Sequence, residues 1–270
     1  MLIKSDRKGV ERTKISDQPK TLSILLPVYN EAESLKIMIP VLEAIVDIDH
    51  EVLVIYDFPE DNSIETVNTL KHTYTNVNGV FNDFGQGVAN AIKKGISMAK
   101  GEFVLITVVD EVFPISAIED MMKLINQGCD FVSGTRYTHG GKRFGGSFVG
   151  GILSRLGNKT FRLITGSVLT DATTAMKMFK KSIFEKVTIE AKAGWAFAFE
   201  ISIKAQLLGL KIGEVPVVSV DRLFGGDSTF RLGAWVREYM KWFIWGVRRL
   251  NRMNLTQTKV ITLDRKKRKK

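Results

Sequence analysis

The sequence lacks several features that mark common protein classes. It has one cysteine, Cys129, which excludes a disulfide framework and a cysteine-rich zinc site. Its three histidines are far apart, and no H-E-x-x-H pair occurs. No uncharged apolar stretch of about 18 residues is present, so a conventional transmembrane helix is not expected. No apolar run follows the polar residues after Met1, so a signal peptide is not expected either.

Two familiar enzyme motifs are also missing. The sequence contains no G-x-x-x-x-G-K-[ST] phosphate loop and no G-x-S-x-G nucleophile elbow. Residues 85–90 (G-Q-G-V-A-N) begin like a dinucleotide-binding fingerprint, but they lack the third glycine and follow the third predicted strand rather than the first. We therefore interpret this segment as a tight turn that leads into a helix.

The positive charge of the chain is concentrated at one end. The net charge is +10, and residues 231–270 contain 13 Lys and Arg residues against two acidic ones. The first 230 residues hold 26 basic and 27 acidic residues, so they are close to neutral. A nucleic-acid enzyme usually spreads positive charge over its working face. Nucleic acid is therefore not the expected partner.

The hydrophobic pattern alternates between strands and helices. Strands are predicted at 22–28, 51–56, 77–81, 103–109 and 131–133, and helices at 32–44, 63–72, 88–100 and 115–127. Alternation at this spacing implies βαβ units. The expected fold is α/β, with a mostly parallel sheet and helices on both of its faces.

Polar side chains follow three of these predicted strands. Asn30 and Glu31 follow the first, Asp57 follows the second and Asp110 follows the fourth. In such sheets, ligands bind outside the carboxyl ends of the strands. These residues are therefore candidates for a binding site, with helix capping and turn closure as the structural alternative.

Several motifs follow one another along the chain. They are P-V-Y-N-E at 27–31, Y-D-F-P-E-D-N-S at 56–63, Asp110, S-G-T-R-Y at 133–137, S-R-L-G-N at 154–158, D-A-T-T at 171–174, K-M-F at 177–179, E-V-P at 214–216 and D-R-L-F-G-G-D-S at 221–228. This ordered set resembles the family 2 glycosyltransferases, most closely their dolichyl- or polyprenyl-phosphate mannosyltransferase branch. The resemblance implies the GT-A fold over residues 21–232. The remaining expected segments are a loose arm (1–20), an interfacial amphipathic helix (233–253) and a polybasic tail (254–270).

The resemblance also implies a site for a nucleoside-diphosphate sugar. It places Pro27, Tyr29, Glu31 and Asp57 around the base and ribose of the donor. It matches Arg136 and Arg222 to arginines of the family, and guanidinium groups suit phosphate oxygens.

One basic residue of the family pattern is missing in this chain. The family usually adds a lysine six residues after the second of these arginines. The loop is one residue longer in this chain, so Thr229 occupies the place of that lysine, and Arg231 is the candidate substitute.

The metal motif of the family is incomplete. Where the family has Asp-x-Asp, this sequence has Val108-Val109-Asp110. Asp110, with Glu111 as a possible second carboxylate, is expected to hold Mg²⁺ or Mn²⁺ together with diphosphate oxygens. Asp110 and Arg222 are the expected catalytic residues. The lost aspartate also leaves open a non-catalytic, membrane-docked protein that binds the nucleotide sugar.

The expected reaction is an inverting transfer from a donor of the GDP-mannose or UDP-glucose type to polyprenyl or dolichyl phosphate. A phosphate acceptor is largely deprotonated at neutral pH and needs no general base. The alternative acceptor is a hydroxyl group of a cell-envelope glycan. That reaction needs a carboxylate base, for which Asp171 is the first candidate by position.

The C-terminal segment indicates how such an enzyme would meet a lipid. As a helix, residues 234–252 place most of their charges on one arc and aromatic and aliphatic residues on the rest. This pattern predicts a helix in the membrane plane, and the six cations at 265–270 would add attraction to an anionic leaflet. The expected location is peripheral, at the cytoplasmic face of a membrane. Packing of this helix on the body, dimerisation through it and the oligomeric state are left open.

Overall fold

The computed structural model describes residues 21–146, 148–220, 232–250 and 260–262. The strands are β1 (Leu22–Pro27), β2 (His50–Tyr56), β3 (Val77–Phe81), β4 (Phe103–Ile106), β5 (Phe131–Thr135), β6 (Lys142–Phe144), β7 (Lys177–Lys180), β8 (Ile212–Pro216), β9 (Val218–Val220) and β10 (Val260–Thr262). The helices are α1 (Ala32–Ile45), α2 (Ser63–Lys71), α3 (Val88–Met98), α4 (Ile118–Asn126), α5 (Phe148–Thr165), α6 (Ala196–Leu207) and α7 (Leu232–Leu250). Short 3-10 turns at Phe113–Ala117 and Lys181–Glu185 precede α4 and follow β7.

Eight strands form one central sheet in the order β10-β8-β5-β7-β4-β1-β2-β3. All neighbours in it are parallel except β7, which runs antiparallel to both β4 and β5. Strands β6 and β9 form a separate parallel pair. The predicted α/β fold with a mostly parallel sheet is therefore confirmed.

The sheet is buried on both faces because alternate side chains of its strands point to opposite sides. Leu22, Ile24 and Leu26 of β1 belong to one apolar cluster, which also contains inward-facing residues of α1, α2 and α4. Leu25, between them in sequence, belongs to a second cluster with residues of α3, α6 and α7. Strands buried in this way read as continuous apolar runs, which is how their positions could be predicted.

Several predicted boundaries differ from the structure. Strand β4 ends at Ile106, whereas the apolar run predicted a strand to 109. Asn62 precedes α2 but does not cap it through its side chain, which accepts a hydrogen bond from the amide of Ala32 at the start of α1 (3.1 Å). Residues 260–262, expected within the polybasic tail, pair with β8 at the edge of the sheet. The expected arm at 1–20 lies outside the described residues.

Helix α7 packs mainly on the protein rather than presenting its aromatic face outward. Trp242 and Leu250 are buried, and Phe243 contacts the ring of Phe161 in α5, with centroids 5.3 Å apart. Tyr239 stacks near Phe199 of α6 (6.4 Å). Most of the face predicted to enter a membrane therefore belongs to the core. Among the described residues, no helix combines the length and hydropathy needed to cross a bilayer.

Replacement of Gly101 with alanine is expected to destabilise the fold. An added Cβ would lie 2.6 Å from the amide nitrogen of Ser23, in the backbone of β1. Because the backbone cannot move aside cheaply, we expect a loss of about 1–3 kcal/mol in the free energy of unfolding. Urea unfolding measures this change. Gly157→Ala is the control, since nothing lies within 4 Å of its added Cβ and alanine favours the helix. Equal stabilities of the two variants would contradict the prediction.

Candidate functional site

The loops after β1 and β2 hold each other at the carboxyl edge of the sheet. The amide of Asn30 donates to Asp61 Oδ2 (3.1 Å), and the amide of Glu31 donates to Ser63 Oγ (3.0 Å). Asn30 has a φ of 56°, a left-handed conformation that asparagine tolerates. These bonds fix the segment that follows Pro27, the last residue of β1.

Tyr29 projects from this pair of loops. Its side chain is 58% exposed, and its ring lies 5.2 Å from that of Phe58. Glu31 lies two residues further along the same loop and accepts a hydrogen bond from Ser34 Oγ (2.6 Å). An exposed aromatic ring on a fixed loop can stack on a planar ligand. The geometry is therefore compatible with the predicted base-binding role of Tyr29.

Asp57 connects the second loop to the turn before α3. Its Oδ1 accepts from Asn82 Nδ2 (2.7 Å), and its Oδ2 accepts from the amide of Gly87 (2.6 Å). Gly85 and Gly87 have φ values of 97° and 113°, so this turn needs glycine. The predicted tight turn into a helix is confirmed. In this structure the Asp57 carboxylate organises the turn, and its contact with a donor remains a prediction.

A cavity of about 520 Å³ opens beside this turn. It is lined by residues 86–90, Lys93, residues 190–192, Gly194 and Lys241 of α7. Three lysines therefore face it, together with one carboxylate, Glu190, which pairs with Lys204 at 2.7 Å. This pairing lowers the pKa of Glu190. The cavity is consequently suited to an anionic ligand.

Asp110 and Glu111 follow β4 at the same edge and are partly buried. Glu111 accepts a hydrogen bond from Ser219 Oγ in β9 (2.9 Å). Neither residue lines the cavity. The described residues contain no group of three or more His, Cys, Asp or Glu side chains that could hold a metal. Any metal here would therefore depend on one or two carboxylates and on oxygens of the ligand.

Arg136 and Asp171 form a buried bidentate ion pair. Arg136 Nε and Nη2 donate to the Asp171 carboxylate at 2.7 and 3.0 Å, and Asp171 is fully buried. Burial alone would raise the pKa of Asp171, but the charge and hydrogen bonds of Arg136 outweigh it and lower that pKa. Burial likewise opposes the charge of Arg136, whose pKa is nevertheless raised by Asp171, with a smaller contribution from Glu111.

This pairing bears on two predicted roles. A general base must reach its acceptor hydroxyl and hold a proton, and the buried, ion-paired Asp171 is suited to neither task. Its position instead fixes the 171–174 loop. The guanidinium of Arg136 is engaged in the same pair, so its role as a donor ligand stays a prediction.

A buried lysine and glutamate complete the polar interior beneath this loop. Lys177 Nζ donates to Ser133 Oγ (2.7 Å) and to the carbonyl of Ala172 (3.3 Å). Glu214 of β8 accepts from the amide of Thr170 (2.8 Å). Burial lowers the pKa of Lys177 to about 7 and raises that of Glu214 to about 7. Lys177 of the K-M-F motif and Glu214 of the E-V-P motif therefore support the loop. The sequence alone did not indicate this role.

The two pKa shifts predict opposite pH dependences. Lys177 has an ordinary pKa of 10.5. Between pH 7 and 10 the unfolded state therefore binds more protons at this site, and stability rises with pH. Glu214 has an ordinary value of 4.5, so its contribution falls as pH rises from 4.5 to about 7.

Relative to a Lys177→Met variant, the wild type should gain about 2 kcal/mol between pH 7 and 9. Urea unfolding at several pH values measures this difference. Lys180→Met, on the partly exposed lysine of the same strand, is the control and should follow the wild-type curve. Parallel curves for wild type and Lys177→Met would contradict the assigned shift.

The predicted site residues are thus only partly brought together. The loops carrying Tyr29, Glu31 and Asp57 meet at one edge, and Glu111 is near enough to affect Arg136. Arg222 and Arg231 lie outside the described residues. The lysines that line the cavity were not predicted as site residues, because they come from segments that are distant in sequence. Lys177 could have been identified as a buried charge, because it is a lysine within an apolar strand.

The central sheet is mostly parallel, and the loops described above lie at the carboxyl ends of its strands. Open α/β sheets bind ligands at this position. Comparison with known proteins makes the class specific. Residues 23–188 match glycosyl transferase family 2, and the chain belongs to this family. It therefore carries a family 2 glycosyltransferase domain, and its sheet and helices form the GT-A fold.

Three curated relatives share 24% sequence identity with the chain. A dolichol-phosphate mannosyltransferase from Pyrococcus furiosus matches over 82% of this chain and 64% of its own length. The chain thus spans less than two thirds of that relative. A dolichyl-phosphate hexose transferase from Haloferax volcanii matches over 73% and 81%, and a polyprenol monophosphomannose synthase from Mycolicibacterium smegmatis over 90% and 94%.

Solved structures show the same fold. Glucosyl-3-phosphoglycerate synthase from Mycobacterium tuberculosis, in complex with Mn²⁺, UDP-glucose and phosphoglyceric acid, superposes with a TM-score of 0.63 at 16% identity. The match covers 85% of this chain and 80% of that one. At this identity the likeness shows the fold alone.

Proposed function

We propose that this glycosyltransferase moves a sugar from a nucleoside-diphosphate sugar, of the GDP-mannose or UDP-glucose type, to a polyprenyl or dolichyl phosphate. The transfer would invert the anomeric configuration. All three relatives described above are named for transfer to, or synthesis of, a lipid-linked phosphosugar. Because the phosphate is the acceptor, the protein would work as a peripheral enzyme at an anionic membrane surface, on its cytoplasmic face.

The observation that carries the acceptor class is the cavity beside α3. Among the described residues that line it are three lysines, Lys93, Lys192 and Lys241, of which Lys241 pairs with Glu238 (3.1 Å). The one carboxylate among them, Glu190, pairs with Lys204. A phosphate monoester would be attracted there, whereas a neutral sugar hydroxyl would gain little from the same charges.

The burial of the candidate base supports the same acceptor class. A phosphate oxygen is ionised at neutral pH and can attack without proton removal. Asp171, the candidate base for a hydroxyl acceptor, is buried against Arg136. The protein would then act by positioning the two substrates and stabilising the leaving diphosphate.

Asp110 is the residue that would hold a divalent cation. Its carboxylate is a hard oxygen ligand at the edge where the donor would lie, and Mg²⁺ is commonly held by one or two carboxylates plus substrate phosphates. When bound, Mg²⁺ or Mn²⁺ would neutralise charge on the departing diphosphate. Pro27, Tyr29, Glu31 and Asp57 would bind the nucleoside, and Arg136, Arg222 and Arg231 the diphosphate.

Radiolabelled donors test this function. The protein is incubated with GDP-mannose or UDP-glucose, Mg²⁺ or Mn²⁺, and either polyprenyl phosphate or the corresponding polyprenol. Label should enter the phosphate lipid, be released by mild acid and require the metal. Labelling of polyprenol instead would favour a hydroxyl acceptor. Absence of labelled lipid with each common donor would contradict the proposal.

A further inference from the structure

Helix α5 has its polar and apolar faces reversed relative to an ordinary surface helix. Steps of about 100° per residue place Ser154, Asn158 and Thr165 on one side. Asn158 and Thr165 are buried, and Ser154 is partly buried. The opposite side carries Ile152, Leu156 and Leu163, which are 50%, 57% and 76% exposed. A helix on the surface of a soluble protein normally has its apolar residues on the buried side and its polar residues on the exposed side.

The inward polar face has a clear structural task. Asn158 Nδ2 donates to Thr173 Oγ1 (2.8 Å), and its Oδ1 accepts from the amide of Ala172 (2.9 Å). Ser154 Oγ accepts from the hydroxyl of Tyr137 (2.8 Å). These bonds tie α5 to the same loop that Asp171 anchors. They account for the polar residues inside but leave the outward apolar residues without a structural reason.

The apolar surface of α5 is large, and the neighbouring helix α7 carries a second exposed apolar stripe. On α5 it also includes Phe148, Val149, Leu153 and Ile164, all exposed. Helix α7, which packs on α5 through Phe243 and Phe161, adds exposed Val236, Met240 and Ile244 at four-residue spacing. Large exposed apolar surfaces of this kind mark protein or membrane interaction sites. We call the outward residues of α5 and these three residues of α7 the apolar face.

The charges around the apolar face select its partner. The charged residues of α5 are all cations, namely Arg155, Lys159 and Arg162, and each is exposed. On α7, Arg237, Lys241 and Arg248 are exposed, and its one acid, Glu238, accepts hydrogen bonds from Lys241 and Trp242. A symmetric pairing of two copies would bring these cations against one another, which is unfavourable.

We infer that the apolar face, led by α5, inserts into the interface of an anionic lipid bilayer. Apolar side chains would enter the acyl boundary, and the flanking cations would contact lipid phosphates. The inference shares with the proposed function only the membrane location. It moves the principal contact from α7, where the sequence placed it, to α5.

Flotation of the full-length protein with vesicles tests the inference. Vesicles contain phosphatidylcholine alone or about one third phosphatidylglycerol, and binding is measured at low and at raised salt, which screens the cationic tail. The test variant combines Ile152→Gln, Leu156→Gln and Leu163→Gln. The control combines Ile37→Gln, Ile45→Gln and Leu208→Gln, which are exposed on other parts of the surface.

The wild type and the control should bind the anionic vesicles at both salt concentrations. The test variant should bind at least about tenfold more weakly at raised salt, because three inserted side chains are lost. Equal binding by the test variant would overturn the inference. So would a wild-type dimer, seen by analytical ultracentrifugation, that the test variant converts to a monomer without any vesicle binding by the wild type.

Transfer activity on detergent-solubilised acceptor separates this inference from the proposed function. The test variant should retain wild-type activity there, since its changes are on the outer side of α5. If the wild type binds vesicles but transfers no sugar, the inference about the apolar face would remain supported and the proposed function would be overturned. Transfer by the wild type, together with unchanged vesicle binding by the test variant, would support the proposed function and overturn the inference about the apolar face.

Discussion

Asp110→Asn is expected to lower kcat/KM for sugar transfer by at least about 100-fold. The carboxylate is the one acidic group that this chain keeps from the Asp-x-Asp pattern, since Val108 stands at the first position. Asparagine preserves the size of the side chain but removes the charge that would hold the cation. Transfer assays over a range of Mg²⁺ and Mn²⁺ concentrations, together with thermal unfolding, measure the effect.

Glu119→Gln is the matched control for Asp110→Asn, because Glu119 is an exposed carboxylate in the first turn of α4. It should transfer sugar at the wild-type rate. Glu111→Gln reports whether the adjacent carboxylate shares the cation, since its loss would then raise the metal concentration needed for half-maximal activity. An Asp110→Asn enzyme with more than half of the wild-type rate would contradict the assigned role.

Asp171→Asn is expected to cost about 3–5 kcal/mol in the free energy of unfolding. Removal of one charge from a buried ion pair leaves the other uncompensated, and Arg136 would keep its charge with only 13% of its side chain exposed. The same carboxylate also accepts from the amide of Arg136 and from Thr173 Oγ1, so loop geometry would suffer as well. Urea unfolding measures the loss.

The control for this prediction is an ion pair on the surface. Glu33 and Lys36 pair at 2.6 Å in α1 with 78% and 55% of their side chains exposed. Such pairs add little to stability because water and salt screen them. Glu33→Gln should therefore unfold with the wild-type midpoint. A loss below about 1 kcal/mol in Asp171→Asn would show that the buried pair is not the anchor we describe.

The layered fold was accessible from sequence because buried parallel strands are apolar throughout. Strand β3 begins and ends where its pattern predicted, and β1 and β2 are within one residue at each end. The turn at Gly85 and Gly87 was equally readable, since positive φ values require glycine. Beyond 135 the pattern predicted little. Strand β7 is four residues long and enters the sheet in the reverse direction, which no local pattern specifies.

The site was predictable where residues are adjacent in sequence and not where they come together only in the fold. The loops at Tyr29 and Asp57 were found because each directly follows a strand. The Arg136–Asp171 pair joins residues 35 positions apart, so Asp171 could be mistaken for a base. The packing of much of the apolar face of α7 on α5 and α6 could not be predicted for a related reason. Periodicity reveals an apolar face but not whether protein or lipid covers it.

The pairing of β10 with β8 has a mechanical consequence for α7. The helix lies between β8 and β10 in chain order, and these two strands pair in the central sheet. A membrane-binding helix connected to the domain at one end only could change its angle, and the distance between the domain and the lipid would then vary. In this fold, the height and tilt of the cavity above a bilayer would be set by the packing of α7 on the protein. An acceptor phosphate emerging from the leaflet would then meet the lysine-lined opening at a fixed depth.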